Sequence, residues 1–173
     1  MADASIFDPV RMPSSWLIAL DWRAYHFYFQ RYHYLVRMVH ILSMSAFYGG
    51  ICLLDLRLMG VQMTINLRDL SRQVVTLVHS SFAVAMLTGI ALFLYDPVHM
   101  GARAYMAPKL IMISFGLLNA LVFHIAGYKR MLSHAGKLSR IAQVAGAISL
   151  LCWSLVIVFS SLNAEDMPKV FLR

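Results

Sequence analysis

Four runs of the chain, 38–54, 73–95, 110–128 and 141–164, contain no Asp, Glu, Lys or Arg. A helix needs about 20 mostly apolar residues to cross a hydrocarbon layer roughly 30 Å thick, so each run predicts a membrane-spanning helix. The first is short, but Arg37 and Asp55 at its ends extend it by reaching toward the headgroups.

Ahead of these runs, Ser14 and Ser15 are placed to cap a helix beginning near Trp16. From Trp16 to Tyr34 there are eight aromatic residues, Trp16, Trp22, Tyr25, Phe27, Tyr28, Phe29, Tyr32 and Tyr34, mixed with Arg23 and Arg31. This is the composition of an amphipathic segment lying in the interface. The expected fold is therefore all-α: an antiparallel bundle of four transmembrane helices over 35–164, preceded by an interfacial helix within 1–34 and followed by a short tail, 165–173. The start of the chain through Pro13 is polar, and Asp21, Arg23 and Arg31 break the next apolar stretch, so no cleavable leader is expected and the first span serves as its own insertion signal. No repeat or low-complexity tract interrupts the layout.

Composition agrees with lipid as the solvent. The 173 residues are 60% hydrophobic and 13% charged, more apolar surface than one soluble core of this size hides. The net charge of +7 raises the question of nucleic acid, but the basic residues sit in loops beside the spans and no basic, aromatic soluble module is present. Their distribution instead sets topology. Arg57, Arg68, Arg72, Lys129, Arg130, Lys137 and Arg140 fall on one face, against Arg103 and Lys109 in the opposite connection. The positive-inside rule places the richer face in the cytoplasm and both termini outside, and the expected location is a bacterial inner membrane with periplasmic termini, although Arg11, Arg23, Arg31 and Arg37 pull the other way.

Histidine within a span is the feature that bears on chemistry, because a polar ring in hydrocarbon needs a partner. His40 falls near the outer end of the first span, His79 near the inner start of the second and His124 near the inner end of the third. Antiparallel helices put His79 and His124 at similar depth, and two facing imidazoles can supply both axial ligands of a b-type haem. Gly89, Gly116, Ala83 and Ser80 are small enough to make room for its plane. A plainer alternative has the two rings bonding to each other, to Ser80 or Asn119, or to a backbone carbonyl.

His26, His33 and His40 follow one another at steps of seven on a predicted helical stripe, with Arg37 on the same side. A second, outer haem would pair His40 with His99, which otherwise reads as a solvated loop residue just past Pro97. His26, His33 and His134 are expected at the interface. Twelve methionines, among them Met38 and Met44 flanking His40, raise a copper path, but no compact Met cluster marks one, and Met is common in packing. Cys52 and Cys152 lie in separate spans as packing residues. Asp55 and Arg57 read as a local ion pair or as groups reaching to the headgroups. No hydrolase triad, HExxH or phosphate loop is found.

Several segments give the chain a family likeness: Asp55-Leu56-Arg57-Leu58-Met59-Gly60 ending the first span, Leu87-Thr88-Gly89 with Phe93 in the second, Lys109 opening the third, and Asn119-Ala120-Leu121-Val122-Phe123-His124 closing it. In these it resembles uncharacterised bacterial four-helix membrane proteins, similar in layout to copper-resistance-D-like and membrane cytochrome b proteins. The resemblance covers most of the hydrophobic part. It implies a four-helix bundle with His40 and His124 at family-like positions and Lys109 at the outer end of a cofactor cleft.

The expected function is a redox subunit holding one or two b-type haems and passing electrons between quinone and a partner membrane or periplasmic protein. His79, His124 and His40 are the expected metal ligands, with His99, Arg37 and Lys109 completing the cofactor-binding set. Two other classes compete with it: a cofactor-free anchor or accessory subunit of a larger respiratory or photosynthetic complex, and a copper or small-ion permease.

Overall fold

The computed structural model describes residues 11–61, 67–126 and 140–164. Within them the chain is all-helical: α1 (Ser14–Leu20), α2 (Arg23–Phe29), α3 (His33–Leu58), α4 (Leu67–Tyr95), α5 (Pro97–Gly101), α6 (Met106–Ala126) and α7 (Arg140–Ala164). Four of these, α3, α4, α6 and α7, are long and apolar enough to cross a membrane. The predicted basic residues Arg68, Lys129, Arg130 and Lys137, together with His134 and the C-terminal tail, fall outside the residues or side chains described.

The first span starts earlier and ends later than the charge-free run, because Arg37, Asp55 and Arg57 are all taken into α3. Its end is a Schellman motif. Gly60 adopts a left-handed φ of 95°, Val61 N–H donates to Leu56 O at 3.1 Å, and Gly60 N–H donates to Arg57 O at 3.2 Å. The predicted single interfacial helix is instead two short ones, α1 and α2, and a turn at 30–32 separates α2 from α3. His26 therefore does not share a helix with His33 and His40, and the three-histidine stripe is broken. Trp16 of α1, Trp22 just before α2, and Phe27 and Tyr28 of α2 remain exposed, as an interfacial segment requires. At α5, Asp96 accepts from His99 N–H at 3.2 Å and Pro97 fills the first turn, where its missing N–H costs nothing.

Three antiparallel seams build the bundle: α4 on α3, α3 on α7 and α7 on α6. Small residues let the backbones approach. A Cβ at Gly50 would lie 2.6 Å from Val78 Cγ2, one at Gly116 would lie 3.1 Å from the Trp153 ring, and one at Gly146 would lie 2.9 Å from Asp55 O. Phe47, Val78, Trp153 and Val156 form the buried centre. There the Phe47 and Trp153 rings meet edge to face at 4.6 Å, and Phe82 closes on both, at 5.1 and 5.8 Å.

Most other apolar side chains face outward, including Leu42, Leu87, Ile125 and Ile141. Lipid tails cover such a surface, and the hydroxyls set in it are satisfied within their own helices. Ser45 donates to Ile41 O, Thr88 to Val84 O, Ser114 to Leu110 O and Ser160 to Val156 O, at 2.6–3.0 Å. The fold is that of a multi-pass membrane protein. Its two ends differ: one carries α1, α2, α5 and Tyr95 and is aromatic, and the other carries Arg57, Arg72 and Arg140.

Candidate functional site

The seam between α3 and α4 holds His40 in a defined pose. Its Nδ1 lies 3.0 Å from Ala85 O and 3.0 Å from Thr88 Oγ1. The Thr88 hydroxyl spends its hydrogen on Val84 O at 2.6 Å, and a backbone carbonyl can only accept, so both neighbours of Nδ1 call for a donor. Nδ1 therefore carries the proton and Nε2 carries the lone pair. Gly89 lies against the ring: a Cβ there would stand 3.0 Å from His40 Cε1 and 3.6 Å from Nδ1. Nε2 has no hydrogen-bond partner among the described residues. Lys109, half-buried at the start of α6, is close enough for its charge to act on the ring.

This is the arrangement by which proteins hold a ligating imidazole: one nitrogen donates to a backbone carbonyl, fixing tautomer and ring orientation, and the other is presented to a metal. His40 fits the part of a haem ligand, and Lys109 fits that of a cation beside a propionate. The Leu87-Thr88-Gly89 segment singled out in the sequence thus supports His40, although its spacing alone gave no sign that it would.

The other predicted residues are placed differently. His79 on α4 is exposed, and its Nδ1 bonds to Val75 O of its own helix at 2.8 Å. His124 is exposed on α6. α4 packs mainly on α3 and α6 on α7, so the exposed His79 and His124 stand on helices that share no extensive seam. Neither glycine expected to open space does so: Gly116 is covered by Trp153 and Gly89 by His40. Ala83 and Ser80 face outward, and Asn119 bonds to Ala145 O of α7 at 2.9 Å rather than to a histidine. His99 is exposed on α5 with its Nδ1 3.6 Å from Asp96 Oδ2, so it is tied to its own cap and not to His40. Arg37 is exposed one turn before His40. Among the described residues no three His, Cys, Asp or Glu side chains converge as a metal site would require.

At the aromatic end His26 and His33 do more than line the interface. The His26 ring stacks on Tyr95 at 4.4 Å, its Nδ1 bonds to Tyr95 O at 2.9 Å, and the His33 ring lies 4.5 Å from the same phenol. Tyr25 donates to Ala91 O at 3.1 Å, and burial pushes its phenol above the ordinary value. Together these contacts clamp α2 to the end of α4.

Asp55 also departs from expectation. It is neither paired with Arg57 nor extended to the headgroups, but buried at 3% exposure against Ser149 of α7.

The fold defines a class, the multi-pass membrane proteins. No protein-family model, curated protein or solved structure matches the chain.

Proposed function

We propose that the chain is a membrane-integral redox subunit of the b-type cytochrome kind, exchanging electrons between quinone and a partner protein, with His40 as its ligating residue. The observation that carries this is the fixed tautomer of His40, with Nδ1–H on Ala85 O and Nε2 presented without a partner. Lys109 is the cation within electrostatic reach. A bound haem would supply one-electron transfer, which needs ligation and a controlled dielectric but no catalytic motif. The basic residues that the sequence puts in the opposite connections support an outer position for this site in a bacterial inner membrane.

The test is a pyridine haemochrome assay and a reduced-minus-oxidised spectrum on protein purified after expression with ample haem. A stoichiometric b-type signal should vanish in His40→Ala, return when free imidazole is added, and survive His79→Ala and His124→Ala. Well-folded protein without haem, or a signal that depends on His79 and His124 but not on His40, overturns the proposal.

The cofactor-free accessory subunit is the second reading, favoured by the exposed Trp16, Trp22, Phe27 and Tyr28 in and beside α1 and α2. These offer a docking surface at the aromatic end. In that case His40→Ala alters assembly with partners and no spectrum.

A further inference from the structure

The seam between α3 and α7 contains a polar group that the redox reading does not use. Asp55 is 3% exposed, Ser149 opposite it is 6% exposed, and Gly146 brings the two backbones to contact there. The Ser149 hydroxyl hydrogen-bonds to the carboxyl group, while Oδ2 is buried with no hydrogen-bond partner among the described residues.

Among the described residues no cation answers it. Asp55 makes no ion pair among the described residues; Arg57 lies two positions on, where helical side chains do not face each other, and its own Nε is buried without a partner. The described titratable groups nearer this end on the packed helices are Asp69, Arg72 and His79 of α4, all exposed, and exposed Arg140 and buried Cys152 of α7. The helix itself makes matters worse for a negative charge, because Asp55 stands in the last turn of α3, where the macrodipole is negative. A metal ion is a poor solution. Hard cations take about six or more oxygens, and the carbonyls of Asp55, Leu56 and Arg57 are already engaged by Met59, Val61 and Gly60 N–H.

A proton meets each of these conditions. It needs one oxygen, it removes the uncompensated charge, and an unpaired neutral hydroxyl costs far less in an apolar medium than an unpaired carboxylate oxygen. We propose that Asp55 and Ser149 form a proton-binding site inside the bundle, in which the Asp55 carboxyl holds a proton on Oδ2 and exchanges it with water at the nearer end of α3. Asp55 is five residues from Gly60, about 7.5 Å along the helix, so the path to that water is short. The bond formed is Oδ2–H, and the proton comes from and returns to solvent; no oxidant or reductant takes part. Because Gly146 rests on the Asp55 carbonyl, loading and unloading the acid acts directly on the contact between α3 and α7.

Infrared spectroscopy of the full chain in lipid vesicles at neutral pH tests this without reference to haem. Wild type should show a carboxylic acid C=O band that moves on exchange into D2O and moves again when aspartate is labelled with 13C at the side-chain carboxyl. Asp55→Asn should lose the band, and Ser149→Ala should shift it without removing it. The label assigns the band to an aspartate and the Ser149→Ala shift assigns it to Asp55, even if Asp55→Asn does not fold. Absence of the band in wild type, its survival in Asp55→Asn, or a carboxylate band that responds when sodium is exchanged for choline overturns the proposal; the last outcome would make the ligand a metal cation.

Discussion

Replacing Gly146 with alanine presses a methyl group into the seam between α3 and α7. The new carbon would lie 2.9 Å from Asp55 O, 3.0 Å from Leu58 Cβ and 3.5 Å from Met59 Cγ. Contact between non-bonded carbons is most favourable at about 3.5–4.0 Å, so α7 must withdraw by roughly half an ångström. Of the three neighbours only the Met59 side chain can swing aside; the carbonyl and Leu58 Cβ are fixed to the backbone. Overpacking of this kind costs about 1–3 kcal/mol, and alanine returns about 0.5–1 kcal/mol as the better helix former. The net loss is about 0–2.5 kcal/mol, centred on ~1 kcal/mol. Gly49 supplies the control, since a Cβ there meets nothing within 4 Å and only the helical gain remains. Stability should therefore run Gly49→Ala above wild type above Gly146→Ala, read from reversible SDS-driven unfolding in mixed micelles. Equal stability of the two alanine variants would refute the close approach of α3 and α7 at Gly146.

Two further substitutions probe the aromatic end and the α3–α4 seam. Burial holds the Tyr25 phenol above its ordinary value, so the folded chain keeps a proton that the unfolded chain releases. The stability this contributes is intact below about pH 10 and is lost as pH rises further, and Tyr25→Phe should flatten that decline in a melting series; identical alkaline profiles would count against it. Gly89→Ala places a Cβ 3.0 Å from His40 Cε1 and must tilt the ring off Ala85 O, at a cost of about 0.5–1.5 kcal/mol for the weakened bond. In 15N spectra of histidine-labelled protein, the Nδ1-protonated signature of His40 should give way to mixed tautomers, and an unchanged spectrum would mean that Gly89 does not hold the ring.

The four spans were legible because charge is excluded from lipid, and a gap in charge of about 20 residues has few other causes. Which helices lie side by side was not legible. Matching depth suggested that His79 and His124 face each other, but depth says nothing of the direction in which a side chain leaves its helix. The structure turns both outward on helices that pack against different partners. The stripe from His26 to His40 assumed one continuous helix and failed at the turn over 30–32. His40 was named from its place in a span, yet its support by Ala85, Thr88 and Gly89 depends on the register of α3 against α4, which no local pattern encodes. Asp55 was missed for the same reason: at the end of an apolar run it looks free to reach water, and only Ser149 and Gly146, more than 90 residues away, bury it.

The hydroxyls bonded back onto their own helices bear on how the protein is made. Ser45, Thr88, Ser114 and Ser160 are satisfied as soon as their own helix forms, so these hydroxyls do not hold a helix at the insertion machinery to wait for a neighbour not yet synthesised. Assembly is then a later, lateral event, directed by bonds that cross between the spans, among them His40 to Ala85, Tyr48 to Ser154, Asp55 to Ser149 and Asn119 to Ala145. Every seam owns at least one of them, so the order in which helices emerge need not be the order in which they join.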